Sequence, residues 1–144
     1  MSFVDNGENK FAVVNIHTTA GGFRGPEYGA CEVIRAKQFT ELEALLETIA
    51  INYVVLGDFN AGPEASVDNY NQVLSFGLID SAVNNLDEGE SPECTWDPLN
   101  SLNSSGPFAL CPAQRVDLIM HPASGCSVKD LKIVFKNSLV ETKA

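Results

Sequence analysis

The stretch Tyr53 to Asn60 reads YVVLGDFN, a short apolar run followed by a glycine and then by acidic, aromatic and amide side chains. An apolar run of this length is too short for a helix, so with Gly57 halting it the pattern predicts a buried central strand over Tyr53–Leu56. Residues two apart on an extended segment point to the same side, which places the side chains of Asp58 and Asn60 together. We therefore expect a polar site where this strand ends.

Apolar patterns on both sides of this stretch predict the remaining elements. A β-branched run predicts a strand over Phe11–Ile16, and apolar residues at helical spacing (Ile34, Leu42, Leu45, Leu46 and Ile49) predict an amphipathic helix to about Ala50. Further predictions are a helix over Val67–Phe76, a strand or turn over Leu78–Asp80, a long polar loop over Asn84–Asn103, and strands over Val116–Met120 and Leu131–Phe135. This order predicts an α/β (α+β) fold with helices packed on a sheet.

Size and charge limit the classes of protein to which this chain can belong. The chain has 144 residues, which predicts one domain, and a formal net charge of −10 with nine Lys and Arg residues. Nucleic acid is disfavoured as a partner, because phosphate contacts depend on basic side chains, although a local basic patch or a bound cation can offset this. No apolar run approaches a membrane span, and Met1–Lys10 lacks the apolar region of a signal peptide, so a cytoplasmic location is the default expectation.

The cysteines leave two readings open. Cys31, Cys94, Cys111 and Cys126 show no CxxC spacing, which argues against a zinc site or a thioredoxin-like motif. Free thiols in a reducing compartment are the simpler interpretation. Cys94 and Cys111 bracket one loop, however, and a disulfide between them is the alternative for an exported protein.

Four polar residues have both a chemical and a structural interpretation. Asp58 can orient or deprotonate a water or bind a metal, and Asn60 can donate hydrogen bonds to a phosphoryl oxygen, but together they also fit an Asx turn. His17 can contact a phosphate or transfer a proton, or it can simply end its strand. Asp117 lies in an apolar strand and needs a partner or a ligand, and a salt bridge with Arg115 is the alternative there.

These motifs, in this order along the chain, resemble the second half of the endonuclease/exonuclease/phosphatase superfamily. The resemblance covers roughly Phe11–Met120 and is closest to neutral-sphingomyelinase-like members. The motifs that carry it are Asn15-x-His17, Arg35-x-x-Gln38-x-x-x-Leu42, Gly57-Asp58-Phe59-Asn60, Thr95-Trp96 and Gln114-Arg115-Val116-Asp117.

The resemblance implies a four-layer αββα sandwich, of which this chain holds mostly the C-terminal sheet with its flanking helices, and Mg²⁺-assisted attack of water on a phosphodiester, with Mn²⁺ as an alternative ion. It implies catalytic roles for Asp58, Asn60, His17 and Asp117. Asp58 would position the water, and Asp58 and Asp117 are the candidate metal ligands. Substrate contacts are implied for Asn15, Thr95, Trp96, Asn100 and Arg115.

Two departures from the family pattern modify this expectation. The family's metal-binding Glu belongs to an N-terminal half that we expect to be absent, so residues 1–144 are interpreted as one partial domain. The family's terminal Ser-Asp-His motif also has no counterpart, and His121 follows Asp117 too closely to replace it. We therefore expect impaired hydrolysis by this chain alone, pairing with a missing half or a second copy, or a non-catalytic binding or dimerisation module.

Overall fold

A computed structural model of the chain describes residues 1–5, 7, 9–21, 28–83, 93–100, 103, 111–129 and 131. Its elements are β1 (Ser2–Asp5), β2 (Lys10–His17), α1 (Tyr28–Leu46), β3 (Asn52–Asp58), α2 (Val67–Ser75), β4 (Leu78–Asp80) and β5 (Asp117–Pro122). The strands form one sheet in the order β1-β2-β3-β5-β4. The pair β2 and β3 is parallel and the others are antiparallel, which confirms the predicted α+β fold.

The two helices cover one face of the sheet. Alternate residues of the strands point to this face and form the core with α1 and α2, because successive side chains of a strand point to opposite sides. The core residues from the sheet include Val14, Val55, Leu118 and Met120, and those from the helices include Phe39, Leu42, Leu46, Tyr70 and Val73. A hydrophobic core therefore lies between one sheet face and the helices.

The opposite face of the sheet carries half-buried and exposed apolar side chains. Val4 and Ile119 are each 41% exposed, and Phe11, Val13, Val54 and Leu56 are only half-buried. An apolar sheet face of this kind usually packs against another layer. Within the described residues, only one layer of helices is in place.

Helix α1 differs in extent and phase from its prediction. It begins at Tyr28 rather than near Ile34, and it ends at Leu46, after which Thr48 and Ile49 donate to carbonyls three residues back, as in a tightening final turn. Ile34 and Leu45 are 46% and 38% exposed. The predicted stripe is confirmed at Leu42, Leu46 and Ile49, which lie in or against the core, and is wrong at Ile34 and Leu45. The residue buried next to Ile34 is Arg35, which hydropathy counts as polar.

The strands also differ from prediction at their ends. Strand β3 does not end at Gly57 but continues to Asp58. A glycine is needed at position 57, because its φ is +132° and an added Cβ would lie 2.0 Å from the carbonyl oxygen of Ile16. Strand β1 was not predicted, although the Asn6-Gly7 dipeptide after it is a hairpin signal. The Leu78–Asp80 segment is a strand, and the predicted Leu131–Phe135 strand lies outside the described residues except for Leu131.

Among the helices that the structure describes, none combines the length and the apolar character that crossing a bilayer would take.

Candidate active site

Three polar side chains meet at one edge of the sheet because of strand register. In the parallel pair β2–β3, His17 is the partner of Asp58, and in the antiparallel pair β3–β5, Asp58 is the partner of Asp117. Partnered residues on neighbouring strands point to the same face, with Cβ atoms roughly 5 Å apart. The sheet therefore brings together three of the four predicted catalytic residues, which are distant in sequence.

The Asp58 carboxylate is the centre of this group. Its Oδ2 lies 3.6 Å from Nε2 of His17, and its side chain is 33% exposed, whereas that of His17 is 72% exposed. Burial raises the pKa of Asp58 above its usual value, and the nearby Asp117 charge adds to the rise, while the hydrogen bond from Asn60 and the His17 charge oppose it. This carboxyl group is therefore a weaker acid than an exposed aspartate.

Asn60 comes next to Asp58 through a tight turn rather than through an extended strand. Its backbone N–H donates to Oδ1 of Asp58 over 2.9 Å, which is an Asx turn, and its φ of +46° is one that asparagine tolerates. Its side-chain Nδ2 donates to the carbonyl of Thr18 over 3.1 Å. The Asx-turn interpretation of this segment is therefore confirmed, and the turn places Asn60 beside Asp58.

The loop after His17 is fixed by α1. The buried guanidinium of Arg35 donates through Nη1 to the carbonyls of Thr19 and Gly21, through Nη2 to the hydroxyl of Ser66 over 2.6 Å, and through Nε to Asn69. Oε1 of Gln38 accepts the backbone N–H of Thr19 over 2.9 Å. Because Arg35 and Gln38 hold both the His17 loop and the start of α2, their motif has a structural role next to the site.

A cavity of about 270 Å³ opens beside these groups. Its walls include His17, Asp58, Asn60, Trp96, Cys111 and Gln114. Trp96 is held there by a two-way backbone bridge with Gln114, each N–H donating to the other's carbonyl over 2.9 Å. The predicted substrate residue Trp96 therefore shares one cavity with three predicted catalytic residues.

The other predicted substrate residues occupy different positions. The hydroxyl of Thr95 accepts the backbone N–H groups of Val116 and Asp117, each over 3.1 Å, so it fixes the start of β5. Asn15 is exposed on β2, two residues before His17 on the same face. Asn100 is half-buried in a turn and its N–H donates to the carbonyl of Asp97. None of these three borders the cavity.

Arg115 is not the partner of Asp117, and that predicted salt bridge is wrong. Its side chain is buried and donates to both carboxylate oxygens of Asp80, over 3.1 and 2.7 Å, and Tyr70 donates its hydroxyl to the same carboxylate over 2.7 Å. Burial opposes the charged guanidinium, but the hydrogen bond and charge of Asp80 outweigh it and raise the pKa of Arg115. In this arrangement the guanidinium stabilises the protein interior. The predicted contact of Arg115 with a substrate would require its ion pair with Asp80 to open.

The described residues form no group of three His, Cys, Asp or Glu side chains that could hold a metal ion. Asp58 and Asp117 supply two carboxylates side by side, a donor set that suits Mg²⁺, since this ion is often held by one or two carboxylates with water and phosphate oxygens. The two residues named as candidate metal ligands thus fit part of a magnesium site.

His121 lies far from this group. It is four residues along β5 from Asp117, or about 13 Å, and its Nδ1 bonds the carbonyl of Pro122 over 2.8 Å. The four cysteines are free thiols, so the Cys94–Cys111 disulfide is not formed in this structure.

Comparisons with solved structures identify the fold. No family model matches the chain, and no curated protein matches it in sequence. A β-hairpin deletion mutant of the beta toxin of Staphylococcus aureus superposes with a TM-score of 0.66 at 20% identity, over 90% of this chain and 45% of that one. For SmcL the TM-score is 0.63 at 20% identity, over 84% and 41%. A 3′-5′ exonuclease of Neisseria meningitidis gives 0.55 at 20% identity, over 79% and 48%.

The chain therefore spans less than half the length of these structures, and the likeness to them is one of fold. The expectation from the motifs is confirmed at this level: the chain has the fold of one part of the DNase I-like sandwich of the endonuclease/exonuclease/phosphatase superfamily.

Proposed function

We propose that this chain carries part of the active site of a phosphodiester hydrolase. The observation that supports it best is the meeting of His17, Asp58 and Asn60 at one cavity, in the arrangement that the sequence resemblance implies. Structural neighbours that include a 3′-5′ exonuclease support the same reaction class.

In this proposal Asp58 orients and deprotonates the attacking water. The hydrogen bond from the Asn60 N–H to Oδ1 fixes the carboxylate, which leaves Oδ2 toward His17 and the cavity. Burial raises the pKa of Asp58 in the metal-free protein, so its carboxylate binds a proton more tightly than that of an exposed aspartate. The exposed His17 ring is placed to donate to a phosphoryl oxygen when it is protonated.

Mg²⁺ is the proposed cofactor, with Mn²⁺ as the alternative. Asp58 and Asp117 would hold it, and the ion would supply charge neutralisation for the phosphate. A cation between these carboxylates would also remove their mutual repulsion, which contributes to the raised pKa of Asp58. Calorimetric titration of Mg²⁺ into the wild type and Asp117→Asn tests this directly, and equal affinities would contradict the assignment.

The proposed substrate is a phosphodiester of the sphingomyelin type rather than nucleic acid. The net charge of −10 disfavours a polyanion, and the motif order is closest to that of neutral-sphingomyelinase-like proteins. Turnover by this chain alone is expected to be weak, because catalytic groups act as a unit and lose most of their effect when one is missing.

A non-catalytic binding or dimerisation module is the second candidate. The half-exposed apolar sheet face favours it, since Val4 and Ile119 are each 41% exposed there. A second copy or a separate N-terminal half is the proposed partner for that face. Sedimentation analysis distinguishes the two cases: a dimer that Ile119→Lys dissociates supports self-pairing, and a stable monomer favours a separate half.

Hydrolysis assays test the main proposal. Purified chain is incubated with bis(p-nitrophenyl) phosphate or with short-chain sphingomyelin, in Mg²⁺ or in chelator, beside the Asp58→Asn variant. Weak turnover that depends on both the metal and Asp58 is the expected result. Binding of sphingomyelin without any turnover favours the binding module, and neither binding nor turnover by a folded sample contradicts both candidates.

A further inference from the structure

Thr18 is hydrogen-bonded to three consecutive residues of the segment that carries Asp58 and Asn60. Its N–H donates to the carbonyl of Asp58 over 3.0 Å, and its hydroxyl donates to the carbonyl of Phe59. Its own carbonyl accepts from Nδ2 of Asn60 over 3.1 Å. Because Thr18 directly follows His17 in the sequence, these hydrogen bonds join the two segments whose polar side chains border the cavity.

The peptide of Phe59 is firmly held by the rest of the structure. The Phe59 ring is fully buried and packs against that of Phe39 on α1, with ring centroids 6.1 Å apart. The N–H of Phe59 donates to the carbonyl of Val116 over 2.8 Å, just before β5 begins. The side chain of His17, by contrast, is 72% exposed, so packing sets little of its position. The Thr18 hydroxyl therefore ties a loosely packed segment to an anchored one.

The carbonyl of Thr18 also decides how the carboxamide of Asn60 is turned. A carbonyl oxygen can only accept hydrogen bonds, so the nitrogen end of the carboxamide faces Thr18, and one of its two N–H groups is occupied there. The second N–H group is the one left for a phosphoryl oxygen in the proposed function. A displacement of Thr18 would therefore turn or release the donor on which that role depends.

We propose that Thr18 is a positioning residue of the candidate active site. Its hydroxyl fixes the chain after β2 to the carbonyl of Phe59, and its carbonyl then holds the Asn60 carboxamide toward the cavity. His17, the preceding residue, is kept beside Asp58 by the same bonds. This inference rests on the proposed function, because Thr18 is only 7% exposed and acts through its neighbours rather than on the substrate.

The expected consequence of losing the hydroxyl is a lower rate rather than weaker binding. Groups that take part in a reaction must be held close to their productive geometry, and a misplacement of about 1 Å can lower the rate by about 10²-fold. In the proposed function Asp58 acts on the attacking water and Asn60 on charge that develops in the transition state. Interactions of this kind change kcat and leave KM nearly the same.

Kinetic measurements on matched variants test the inference. Wild type, Thr18→Val, Thr18→Ser and Tyr70→Phe are assayed with bis(p-nitrophenyl) phosphate in Mg²⁺, and urea unfolding is measured for each. Valine keeps the branched shape without the hydroxyl, and serine keeps the hydroxyl without the methyl group. Tyr70→Phe is the control for stability, because it also removes a buried hydroxyl that donates a hydrogen bond, to Asp80, which does not border the cavity. If Thr18→Val does not fold, Thr18→Ala replaces it, and Thr18→Ser then differs from it by the hydroxyl alone.

A second measurement reports on Asn60 without requiring turnover. The two Nδ2 hydrogens give a pair of signals in a ¹H–¹⁵N NMR spectrum, and the pair that disappears in Asn60→Asp belongs to this residue. In the wild type one of these hydrogens is bonded to the Thr18 carbonyl, so it should exchange slowly with water. We expect its exchange to become about five to ten times faster in Thr18→Val and to stay unchanged in Tyr70→Phe.

We expect kcat of Thr18→Val to fall by about 10- to 100-fold with KM within about twofold of the wild type. Thr18→Ser should stay close to the wild-type kcat, and Tyr70→Phe should keep it despite its lower stability. Wild-type kcat and wild-type Asn60 exchange in Thr18→Val overturn the role of Thr18 and leave the proposed function intact. A kcat as low in Thr18→Ser as in Thr18→Val also overturns it, because the methyl group would then be what matters. If the wild type shows no turnover, the proposed function fails, and the exchange at Asn60 alone decides whether Thr18 holds this side chain.

Discussion

Two centres of this protein are built around an aspartate, and they differ in how its carboxylate is paired. At one, Asp80 is buried and its carboxylate accepts four hydrogen bonds, two from Arg115, one from the hydroxyl of Tyr70 and one from the backbone N–H of Ala82. At the other, Asp58 is partly exposed, lies across from the second carboxylate of Asp117, and has only a 3.6 Å contact with His17 as an ion pair. Within the described residues, both carboxylate oxygens of Asp80 are hydrogen-bonded (the paired centre), whereas Oδ2 of Asp58 has only the contact with His17 (the unpaired centre).

This difference indicates a structural role for the Asp80 centre and a functional one for the Asp58 centre. A buried carboxylate with every oxygen bonded is held by the fold and has nothing left for a ligand. Two carboxylates placed side by side, one of them at a cavity, cost folding free energy, which is the usual condition of a site arranged for chemistry. The comparison therefore predicts opposite responses to mutation at the two centres.

The largest expected effect is on turnover. Asp58→Asn keeps the shape of the side chain and the oxygen that accepts from Asn60, but it removes the base, so we expect turnover to fall by about 10²- to 10⁴-fold. Because the folded pKa of Asp58 is raised, the folded state holds its proton more tightly than the unfolded state, and stability decreases as pH rises through that interval. Asp58→Asn should thus unfold at the same or a higher urea concentration at pH 7. A large loss of stability would mean that Asp58 is structural.

The second effect is a loss of stability, expected when the ion pair of the paired centre is removed. Arg115→Met leaves the Asp80 carboxylate buried without its cation, and loss of one partner of a buried pair costs about 3–5 kcal/mol. Urea unfolding at pH 7 measures it. The matched control is Lys10→Met, which removes the exposed Lys10–Asp5 pair and should cost less than about 1 kcal/mol. Equal effects of the two variants would contradict the comparison.

The fold was largely predictable because its signals are local. Apolar runs and glycines mark the strands, and the order of elements indicates a sheet covered by helices. The burial of Arg35 on α1 was not predictable, since hydropathy counts Arg35 as a surface residue, whereas four neutral acceptors bond it in the interior. A buried charge can be recognised only when its partners, which come from distant segments, are in place.

The site was predictable in part for the same reason. Asp58 and Asn60 are neighbours in sequence, and His17 ends its own strand, so motif order was sufficient to group them. The partner of Arg115 was assigned wrongly, because a contact two residues away was preferred to Asp80, 35 residues distant. Gln114 has no signal of its own, since only the structure shows that it borders the cavity.

A smaller effect concerns the third member of the paired centre. Tyr70→Phe removes one hydrogen bond to Asp80 but leaves both bonds from Arg115, so we expect a loss of about 1 kcal/mol in the free energy of unfolding. Burial, together with the charge of Asp80, raises the pKa of Tyr70 to about 12. Burial also raises the pKa of Tyr53, so ultraviolet titration of the phenols should lose only its latest-ionising tyrosine in the variant. A phenol that still titrates near pH 12 in Tyr70→Phe would contradict the assignment.

The smallest effect concerns the unpaired centre and tests whether the carboxylates of Asp58 and Asp117 interact. Asp117→Asn removes the like charge opposite Asp58, which should stabilise the protein by about 0.2–1 kcal/mol at pH 7. Since that charge helps to raise the pKa of Asp58, the substitution should lower it, and carboxyl-carbon NMR titration measures the shift without requiring turnover. The control is Asp68→Asn, at the exposed start of α2. If Asp117→Asn leaves the Asp58 titration unchanged, the two carboxylates do not interact, and burial alone sets the properties of this site.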